Sequence, residues 1–404
     1  MSETVLVLNA GSSSIKFQVF AIGREEELDQ RLRGQFEGIG TRPHLVARDA
    51  RDTVLVDEVW SAGDVPDVPA AIERLDAWVQ GFRGGQPPSV IGHRVVHGGP
   101  TYDRPVQVTD EVIRELRRFV PLAPLHQPNN LAPIEAIRGR RPGVLQMACF
   151  DTAFHRGHGE LADRFAIPED LYLQGVRRYG FHGLSYEYIA QALPTVAPSV
   201  ADGRVVVAHL GSGASMCALR HRRSVESTMG FTALDGLPMG TRPGQLDPGV
   251  VLYLHQRGMS TEAVQTLLYK DCGLKGLSGI SNDVRDLLAS GDRRARLAID
   301  YFVYRIAKEL GAFAAALGGL DALVFTAGIG ENSPAIRKAV LERSTWLGFE
   351  VDEAANEENA TGITASASKL PAFVIPTNEE LMIARHAVRL MRVGQASKAG
   401  TPVA

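Results

Sequence analysis

Cysteine is scarce in this chain, and its scarcity argues against two classes of protein. The three cysteines, Cys149, Cys217 and Cys272, are scattered among 404 residues. Their odd number argues against a disulfide framework, and no CxxC pair or His/Cys cluster suggests a zinc site. No signal-peptide pattern is recognised at the N-terminus. We therefore expect a protein of the reducing cytoplasm.

Long apolar runs and an excess of charge are also lacking. No uninterrupted apolar run approaches the ~18–20 residues that span a bilayer, so we expect no membrane partner. The formal net charge of −3 gives no electrostatic reason to expect a nucleic acid partner. With 45% hydrophobic and 22% charged residues, the composition is that of an ordinary globular protein. Its length suggests two or three domains.

The opening stretch predicts a β-hairpin with a polar tip. Two apolar strands, residues 5–8 and 15–20, flank the turn at residues 9–14. In this turn Gly11 permits close approach of a ligand to the backbone, and three serine hydroxyls and Lys16 supply hydrogen-bond donors. A Walker motif is absent from the stretch. The tip is therefore either a phosphate cradle built without a helix or an ordinary Ser/Gly hairpin.

A second stretch repeats this pattern 200 positions later. Residues 205–219 again consist of an apolar strand, a small polar turn and an apolar strand. The identical pairs at this offset are Val5 and Val205, Val7 and Val207, Gly11 and Gly211, and Ser12 and Ser212. We interpret the repeat as a duplicated domain with a second phosphate-facing hairpin.

Two buried strands end in charged residues. The strand at residues 89–96 contains Arg94 between two histidines, and the strand at residues 144–150 runs into Asp151. A buried arginine requires an anion, and an acid at the end of a buried strand is a common catalytic position in α/β proteins. The alternatives are that His93 and His97 are hydrogen-bonded structural residues and that Asp151 caps a turn.

A third strand, from residue 321, leads into a Gly-rich turn and a helix start at Pro334. This arrangement favours nucleotide binding, although a lone G-x-G is weak evidence. Amphipathic patterns predict further helices at residues 66–82, 109–120, 129–138, 248–257, 260–270 and 293–317, with a helix from residue 185 closed by Pro194 and Pro198. A last strand begins at residue 373, and a closing helix at residue 380.

These residues together resemble the acetate kinase (acetokinase) family along nearly the whole chain. The matching segments are residues 9–16, 92–99, 124–126, 150–155, 179–183, 209–215, 239–242, 325–332 and 377–380. The resemblance implies an α/β fold of two duplicated ribonuclease H-like (actin-like ATPase) domains, with the active site in the interdomain cleft. It implies an N-terminal domain, 1–151, joined by a C-terminal helix, 380–394, and a nucleotide-binding and dimerisation domain, 152–379. We expect a disordered tail at 395–404 and a homodimer.

The resemblance also implies an activity, namely reversible in-line phosphoryl transfer from ATP to acetate with Mg²⁺, or alternatively Mn²⁺, giving acetyl phosphate and ADP. It implies catalytic roles for Asp151, His182 and Arg242, a metal site at Asn9 and Glu379, and acyl-substrate contacts from Arg94, Val96, Leu125, Phe181 and Ala233. The implied nucleotide contacts are Ser12, Lys16, His209, Leu210, Gly211, Ser212, Gly213, Asp283, Val284, Arg285, Gly328, Ile329, Gly330, Glu331 and Asn332. Because acetate is already ionised at pH 7, we expect Asp151 to orient a group rather than abstract a proton.

Several positions depart from the family pattern. Ser212 and Gln127 each replace an asparagine, and Pro243 and Gln245 replace Ser and Asp beside Arg242. Ala233 stands where the family commonly has a proline that lines the acyl pocket, which predicts room for a larger acyl group.

Three alternative functions are weighed against acetate phosphorylation. A propionate or broader short-chain acyl kinase lies within the same class. A nucleotide-switched binding protein of the actin and Hsc70 type is a different class, and Arg94 with Arg242 argues against it, because two such arginines serve no purpose in a switch. A pyrophosphate-dependent variant is disfavoured by the segments 283–285 and 328–332, which provide contacts for adenosine.

Overall fold

The computed structural model describes residues 3–11, 13–24, 27–82, 84 and 86–398, which form two compact units. The first unit comprises residues 1–153 and 378–404, and the second comprises residues 154–377. Both boundaries lie within about two residues of those proposed from the sequence. No helix in the described part of the chain is both long and apolar enough to cross a membrane.

Thirteen strands occur in the described residues. In chain order they are β1 (Thr4–Ala10), β2 (Ile15–Ile22), β3 (Leu28–Glu37), β4 (His44–Asp49), β5 (Val54–Val59), β6 (Val90–Val95), β7 (Val106–Gln107), β8 (Leu145–Phe150), β9 (Arg204–Leu210), β10 (Ala214–Arg220), β11 (Arg223–Ser227), β12 (Ala322–Thr326) and β13 (Ala372–Val374).

Fifteen α-helices occur in the same residues. They are α1 (Val68–Phe82), α2 (Asp110–Arg118), α3 (Gln127–Arg140), α4 (Glu160–Asp163), α5 (Glu169–Leu173), α6 (Gly183–Val196), α7 (Pro248–Gln256), α8 (Thr261–Thr266), α9 (Gly273–Ser278), α10 (Val284–Ala289), α11 (Arg293–Leu317), α12 (Ala327–Asn332), α13 (Pro334–Arg343), α14 (Glu353–Glu357) and α15 (Glu379–Lys398). Short 3₁₀ turns lie at Val120–Leu122, Ala153–His155 and Thr345–Leu347, and a π-helical turn lies at Leu267–Asp271.

The first unit is built on an eight-stranded sheet in the order β5-β4-β3-β2-β1-β6-β8-β7. Strands β1, β6 and β8 are mutually parallel, whereas β1, β2 and β3 form antiparallel pairs. Alternate side chains of β1 and β2, including Leu6, Leu8 and Phe17, pack in one core with the buried face of α1. Helix α15 packs on β6 at Gly92, where a Cβ would lie only 2.5 Å from Cγ2 of Ile383. Gly92 therefore permits the close approach of this helix.

The second unit repeats the central strand order of the first. Its five-stranded sheet runs β11-β10-β9-β12-β13, with β9, β12 and β13 parallel and β9, β10 and β11 antiparallel. Strand β9 spans residues 204–210, which is β1 (4–10) displaced by 200 positions. The duplication inferred from the sequence is therefore present in the topology, and the predicted α/β class is confirmed.

Three local expectations from the sequence differ from the structure. Pro194 does not end its helix but lies in the last turn of α6, where buried Ile189 and Leu193 hold the helix on the core and Ala197 N–H donates to Leu193 O. The proline therefore removes only one late helical hydrogen bond.

The other two differences lie near Gly-rich or terminal segments. The Gly-rich turn after β12 is itself the short helix α12, which begins at Ala327 with a φ of 65°. The closing helix α15 continues to Lys398, four residues into the segment expected to be disordered, because Gln, Ala and Lys are good helix formers. Residues 399–404 of that segment lie outside the described residues.

Candidate active site

Arg94 and Asp151 form an ion pair at the carboxyl ends of neighbouring parallel strands. Arg94 lies in β6, and Asp151 follows β8 directly. The guanidinium donates from Nε to Oδ1 at 3.0 Å and from Nη2 to Oδ2 at 2.5 Å. Bidentate pairing of this kind is the stronger form of arginine–carboxylate contact. The structure thus brings together the two residues that the sequence places at strand ends.

Asn9, Lys16 and the start of α15 surround this pair. Asn9 and Lys16 are opposite each other in the register of β1 and β2. Asn9 Oδ1 accepts a hydrogen bond from Arg94 Nη1 at 3.3 Å, and its Nδ2 donates to Glu380 Oε1 at 3.4 Å. Glu379 Oε2 lies 3.9 Å from Arg94 Nε. The tip of the first hairpin and the first turn of α15 therefore share one polar cluster.

Negative charge exceeds positive charge in this cluster. Burial, with smaller contributions from the charges of Asp151 and Glu380, raises the pKa of Glu379 to about 7 against the opposing effect of Arg94 and Lys16. Burial likewise raises the pKa of Asp151, against the opposing effect of Arg94. For Arg94, burial works toward a lower pKa, but the charges of Asp151 and Glu379 outweigh it and raise the value.

This charge balance fits a small, hard cation. Asn9 and Glu379 present amide and carboxylate oxygens, which are the ligands that Mg²⁺ prefers. No group of three or more His, Cys, Asp or Glu side chains with metal-binding geometry occurs in the described ranges of the chain. A cation held by Asn9 and Glu379 would therefore depend on further oxygens from water or substrate, as is usual for Mg²⁺.

In the second unit, His182 is held in an uncommon backbone conformation. It precedes α6 with φ 57° and ψ 24°, the left-handed region. Its Nδ1 is hydrogen-bonded to Ser215 Oγ at 2.8 Å, and Ser215 Oγ also contacts Tyr186 OH at 2.5 Å. The imidazole stacks on His209, with ring centroids 4.1 Å apart and an interplanar angle of 16°. These contacts fix both the position and the orientation of the ring.

Arg242 lies beside the glycine turn between β9 and β10. A Cβ on Gly213 would lie 2.8 Å from Arg242 Nη2 and 3.4 Å from His182 Nε2. Arg242 Nη1 donates to the carbonyl of Ala233 at 2.7 Å. Burial lowers the pKa of Arg242, and no carboxylate of the described residues forms an ion pair with it. Arg242 therefore differs from Arg94, because its positive charge is not balanced by the protein.

A cavity of about 430 Å³ in the second unit joins three segments that are far apart in the sequence. It is lined by Gly211 and Ser212 from the β9–β10 turn, by Asp283, Val284 and Arg285 at the start of α10, and by Gly328, Ile329 and Asn332 of α12. Asn282 and Ser333 complete the lining. Its volume lies within the usual range for a small-molecule site.

Some of the other proposed nucleotide contacts do not line this cavity, and one lies outside the described residues. Leu210 and Gly330 are buried, and Glu331 Oε1 accepts from the backbone N–H groups of Ala327 and Thr377 at 2.8 and 3.1 Å. These residues support the segments that line the cavity. Ser12 lies outside the described residues.

The proposed acyl-pocket residues are divided between the two units. Val96 is buried and Leu125 is half-buried in the first unit, whereas Phe181 is buried and Ala233 half-buried in the second. The carbonyl of Ala233 accepts the Arg242 hydrogen bond. A proline at this position would retain that carbonyl.

The structure also accounts for residues that the sequence left open. His93 Nε2 is hydrogen-bonded to Gln146 at 2.8 Å, and His97 Nδ1 accepts from Gly99 N–H at 2.8 Å, so both histidines have the structural role considered above. Gln245 accepts a hydrogen bond from Arg305 of α11 at 2.5 Å.

Sequence reasoning missed two residues of the cavity, Asn282 and Ser333. Each lies at or next to a helix N-cap, since Asp283 caps α10 and Ser333 caps α13. Polar residues at the starts of two helices after short loops were the available signal.

Comparison with known proteins identifies similar chains over almost the full length. The model of the acetokinase family matches residues 4–385. Two curated relatives are the acetate kinase of Nitrobacter hamburgensis, 58% identical over 96% of this chain and 96% of its own, and that of Rhizobium meliloti, 56% identical over 98% and 100%.

Two solved structures are similar as well. The acetate kinase of Porphyromonas gingivalis has 35% identity and a TM-score of 0.85, and the match covers 96% of this chain and 100% of that one. A propionate kinase from Francisella tularensis has 34% identity and a TM-score of 0.89, with coverage of 96% and 99%.

The raised pKa of Glu379 predicts a pH-dependent loss of stability, which the variant Glu379→Gln tests. A carboxyl whose pKa is raised by folding makes the folded state less stable as pH rises from about 4.5 to about 7. The glutamine mimics the protonated acid and removes this loss. Relative to the natural protein, we expect the free energy of unfolding of the variant to rise across this window by at most about 3.5 kcal/mol, since a pKa difference of one is worth about 1.4 kcal/mol.

Equilibrium unfolding of both proteins between pH 4.5 and 8 measures this gain. Above pH 7 the difference between the two proteins levels off. A difference that does not depend on pH would show that Glu379 is ionised without cost, and would contradict the charge balance described above.

Proposed function

Because the chain belongs to the acetokinase family, we propose that it catalyses reversible phosphoryl transfer from ATP to acetate, giving acetyl phosphate and ADP. It is a kinase whose acceptor is a carboxyl group. The observation that carries the proposal lies in the second unit. The glycine turn lines the cavity with Gly211 and Ser212, and its next residue, Gly213, lies against Arg242 and His182. A guanidinium and an imidazole thus stand beside one end of the cavity.

We assign nucleotide binding to this cavity. Gly211 and Gly328, which line the cavity beside Ser212 and Ile329, leave room for close approach to the backbone, as phosphate groups require. Arg242 needs an anion because the described residues offer it no carboxylate, and a transferring phosphoryl group would supply one. His182 would donate to the same group. Phosphoryl transfer requires alignment and charge stabilisation more than covalent chemistry, and these residues are suited to both tasks.

We assign carboxylate binding to Arg94, whose Nη1 donates, among the described residues, only to the neutral Asn9 at 3.3 Å. Asp151 holds the guanidinium in place from its other edge through Nε and Nη2. Because acetate is ionised at neutral pH, no general base is required. Asp151 therefore acts by charge and orientation rather than by accepting a proton.

A divalent cation, Mg²⁺ with Mn²⁺ as an alternative, would be held by Asn9 and Glu379. When bound, it supplies positive charge that neutralises the phosphate oxygens. The surplus of carboxylates around Arg94 supports this assignment. Lys16, opposite Asn9 in the hairpin, adds a further mobile positive charge at this site.

We further propose a homodimer of the cytoplasm. Helix α7 has no buried residue, and its Leu252 and Tyr253 are 63% and 57% exposed, which supports contact with a second copy. The three cysteines are unpaired thiols, as expected in a reducing compartment. Acetate, acetyl phosphate and the adenine nucleotide are the small-molecule partners, and neither nucleic acid nor membrane is needed.

The proposed function is tested by trapping acetyl phosphate as hydroxamate in the presence of ATP, Mg²⁺ and acetate. We expect the natural protein to form it and Asp151→Asn to lower kcat by about 100-fold or more, since the substitution removes the charge of the carboxylate that holds the Arg94 guanidinium at two nitrogens and leaves only the more distant Glu379, at 3.9 Å. The matched control is Asp76→Asn, which removes the carboxylate of another Arg–Asp pair in the same unit.

The control should retain kcat within about twofold. Absence of product from the natural protein would contradict the kinase assignment and would favour a nucleotide-switched binding protein. An Asp151→Asn variant with most of its kcat and unchanged Mg²⁺ affinity would contradict the charge-dependent role of Asp151.

Ala233 predicts unusual tolerance of propionate. Without a proline ring at this wall, an added methylene should bind with up to ~1 kcal/mol of favourable transfer free energy. We expect Ala233→Pro, which keeps the carbonyl bonded to Arg242, to lower the ratio of kcat/KM for propionate over acetate by up to about fivefold. A natural protein that uses propionate hundreds of times less efficiently than acetate would contradict this expectation.

A further inference from the structure

A buried chain of hydrogen bonds in the second unit leads to the backbone just before His182. His155 Nε2 contacts the carbonyl of Phe181 at 2.9 Å, and His155 Nδ1 contacts Ser224 Oγ at 2.8 Å. Ser224 Oγ also contacts His158 Nε2 at 2.7 Å. His155 and Ser224 are almost fully buried, with 0% and 4% exposure. None of these three side chains belongs to the proposed catalytic or binding set.

The direction of every bond in this series of hydrogen bonds follows from the carbonyl at which the series ends. The oxygen of Phe181 can only accept, so His155 carries its proton on Nε2 and its Nδ1 is an acceptor. Ser224 must therefore donate its one hydroxyl proton to His155 Nδ1. The oxygen of Ser224 is left to accept from His158, which must also carry its proton on Nε2.

The ends of the chain agree with this direction. His158 Nδ1, the atom left without a proton, has no hydrogen-bond partner in the described part of the chain. Cys217 Sγ lies 3.3 Å from Ser224 Oγ, and burial raises the pKa of this thiol to about 12, so it stays protonated. Its one proton can go to the Ser224 oxygen or to the carbonyl of Ala218, 3.7 Å away, and in neither case does the thiol need the proton that Ser224 donates to His155.

Both histidines are neutral, as this direction requires. Burial lowers the pKa of His155 to about 3, with the charges of His158 and Arg156 acting in the same direction. Burial, followed by Arg156 and Arg178, lowers the pKa of His158 to about 4. A second proton on His155 would set an Nδ1–H donor against the Ser224 hydroxyl, and a second proton on His158 would lie on Nδ1, which is buried and has no acceptor among the described residues.

The hydrogen bond to the Phe181 carbonyl oxygen restricts the conformation of the peptide group that precedes His182. The Phe181 carbonyl and the His182 nitrogen belong to one planar peptide group, so holding the oxygen also restricts φ of His182, which is 57°. This left-handed value is unfavourable for a residue with a Cβ. Gly180 lies directly against His155, since a Cβ there would be 2.6 Å from the imidazole. His155 is thus packed closely on the segment that it holds.

We propose that His155, Ser224 and His158 are positioning residues, which hold the Phe181–His182 peptide so that the His182 ring and the Phe181 side chain keep their reactive placement. Ser215 and His209 hold the His182 ring from its other sides. The chain acts on the backbone, and its loss leaves the nucleotide cavity unchanged. The kinetic effect rests on the proposed function, but the proton positions do not.

The kinetic test compares two serines on the same strand, β11. Ser224→Ala removes the bridge between the histidines, whereas Ser227→Ala removes a hydroxyl that is equally buried but has no partner in the described residues. We expect Ser224→Ala to lower kcat about tenfold, as loss of one buried hydrogen bond would, with KM for ATP within about twofold of the natural value. Ser227→Ala should change neither. Equal kcat values for the two variants would overturn the proposal.

A spectroscopic test needs no activity, and it reads the proton positions in the natural protein. Long-range nitrogen–proton NMR of the natural protein, with the two signals assigned by His155→Gln and His158→Gln, reports which nitrogen of each imidazole carries the proton. We expect the Nε2–H form for both at pH 7. An Nδ1–H form of His155 would overturn the proposal even if the kinetics agreed. If the natural protein forms no acetyl phosphate, the proposed function fails, but this measurement still tests whether the histidines hold their protons as the hydrogen bonds require.

Discussion

A guanidinium taken out of water is stabilised by negative charge, and the described residues supply that charge at Arg94 but not at Arg242. Arg94 has the paired carboxylate of Asp151 and a second one nearby at Glu379. Arg242 has only neutral partners among the described residues, the closest being the Ala233 carbonyl at 2.7 Å. An arginine with its own counter-ion is held in place for binding, whereas an arginine without one is stabilised when an anion binds. On this account the anion is the phosphoryl group.

The duplicated topology explains why the functional residues occur where they do. In each unit the first strand forms a hairpin with the next strand and pairs in parallel with a later one. Asn9 and Lys16 come from the first hairpin, and Gly211 to Gly213 from the second. The same backbone arrangement carries a charged, oxygen-rich tip in one unit and a glycine tip in the other. One hairpin therefore suits a cation and the other suits close approach of phosphate.

Much of the fold could be predicted from the sequence, because the spacing of apolar residues and the repeated segment can be read directly from it. The strands that carry Arg94 and Asp151, the 200-residue repeat and the helix at residues 293–317 follow from apolar patterns alone. The contact between Arg94 and Asp151 could not, since it depends on β6 and β8 being neighbours. Pro194 was misjudged because tertiary burial of Leu193 outweighs one lost hydrogen bond. The hydrogen-bond chain from His158 to Phe181 joins residues 26 to 69 positions apart, and no local pattern reports it.

The most direct test of the account compares the stability of two arginine variants in the absence of any ligand. Thermal unfolding of Arg94→Gln and Arg242→Gln is measured by calorimetry against the natural protein. Removing Arg94 leaves Asp151 buried and unpaired, so we expect a loss of about 3 kcal/mol and a lower Tm. Removing Arg242 relieves an unbalanced charge, so the Tm of the ligand-free protein should be unchanged or higher, although activity is lost. A Tm of Arg242→Gln that falls as far as that of Arg94→Gln would show that the protein already balances Arg242, and would contradict the account.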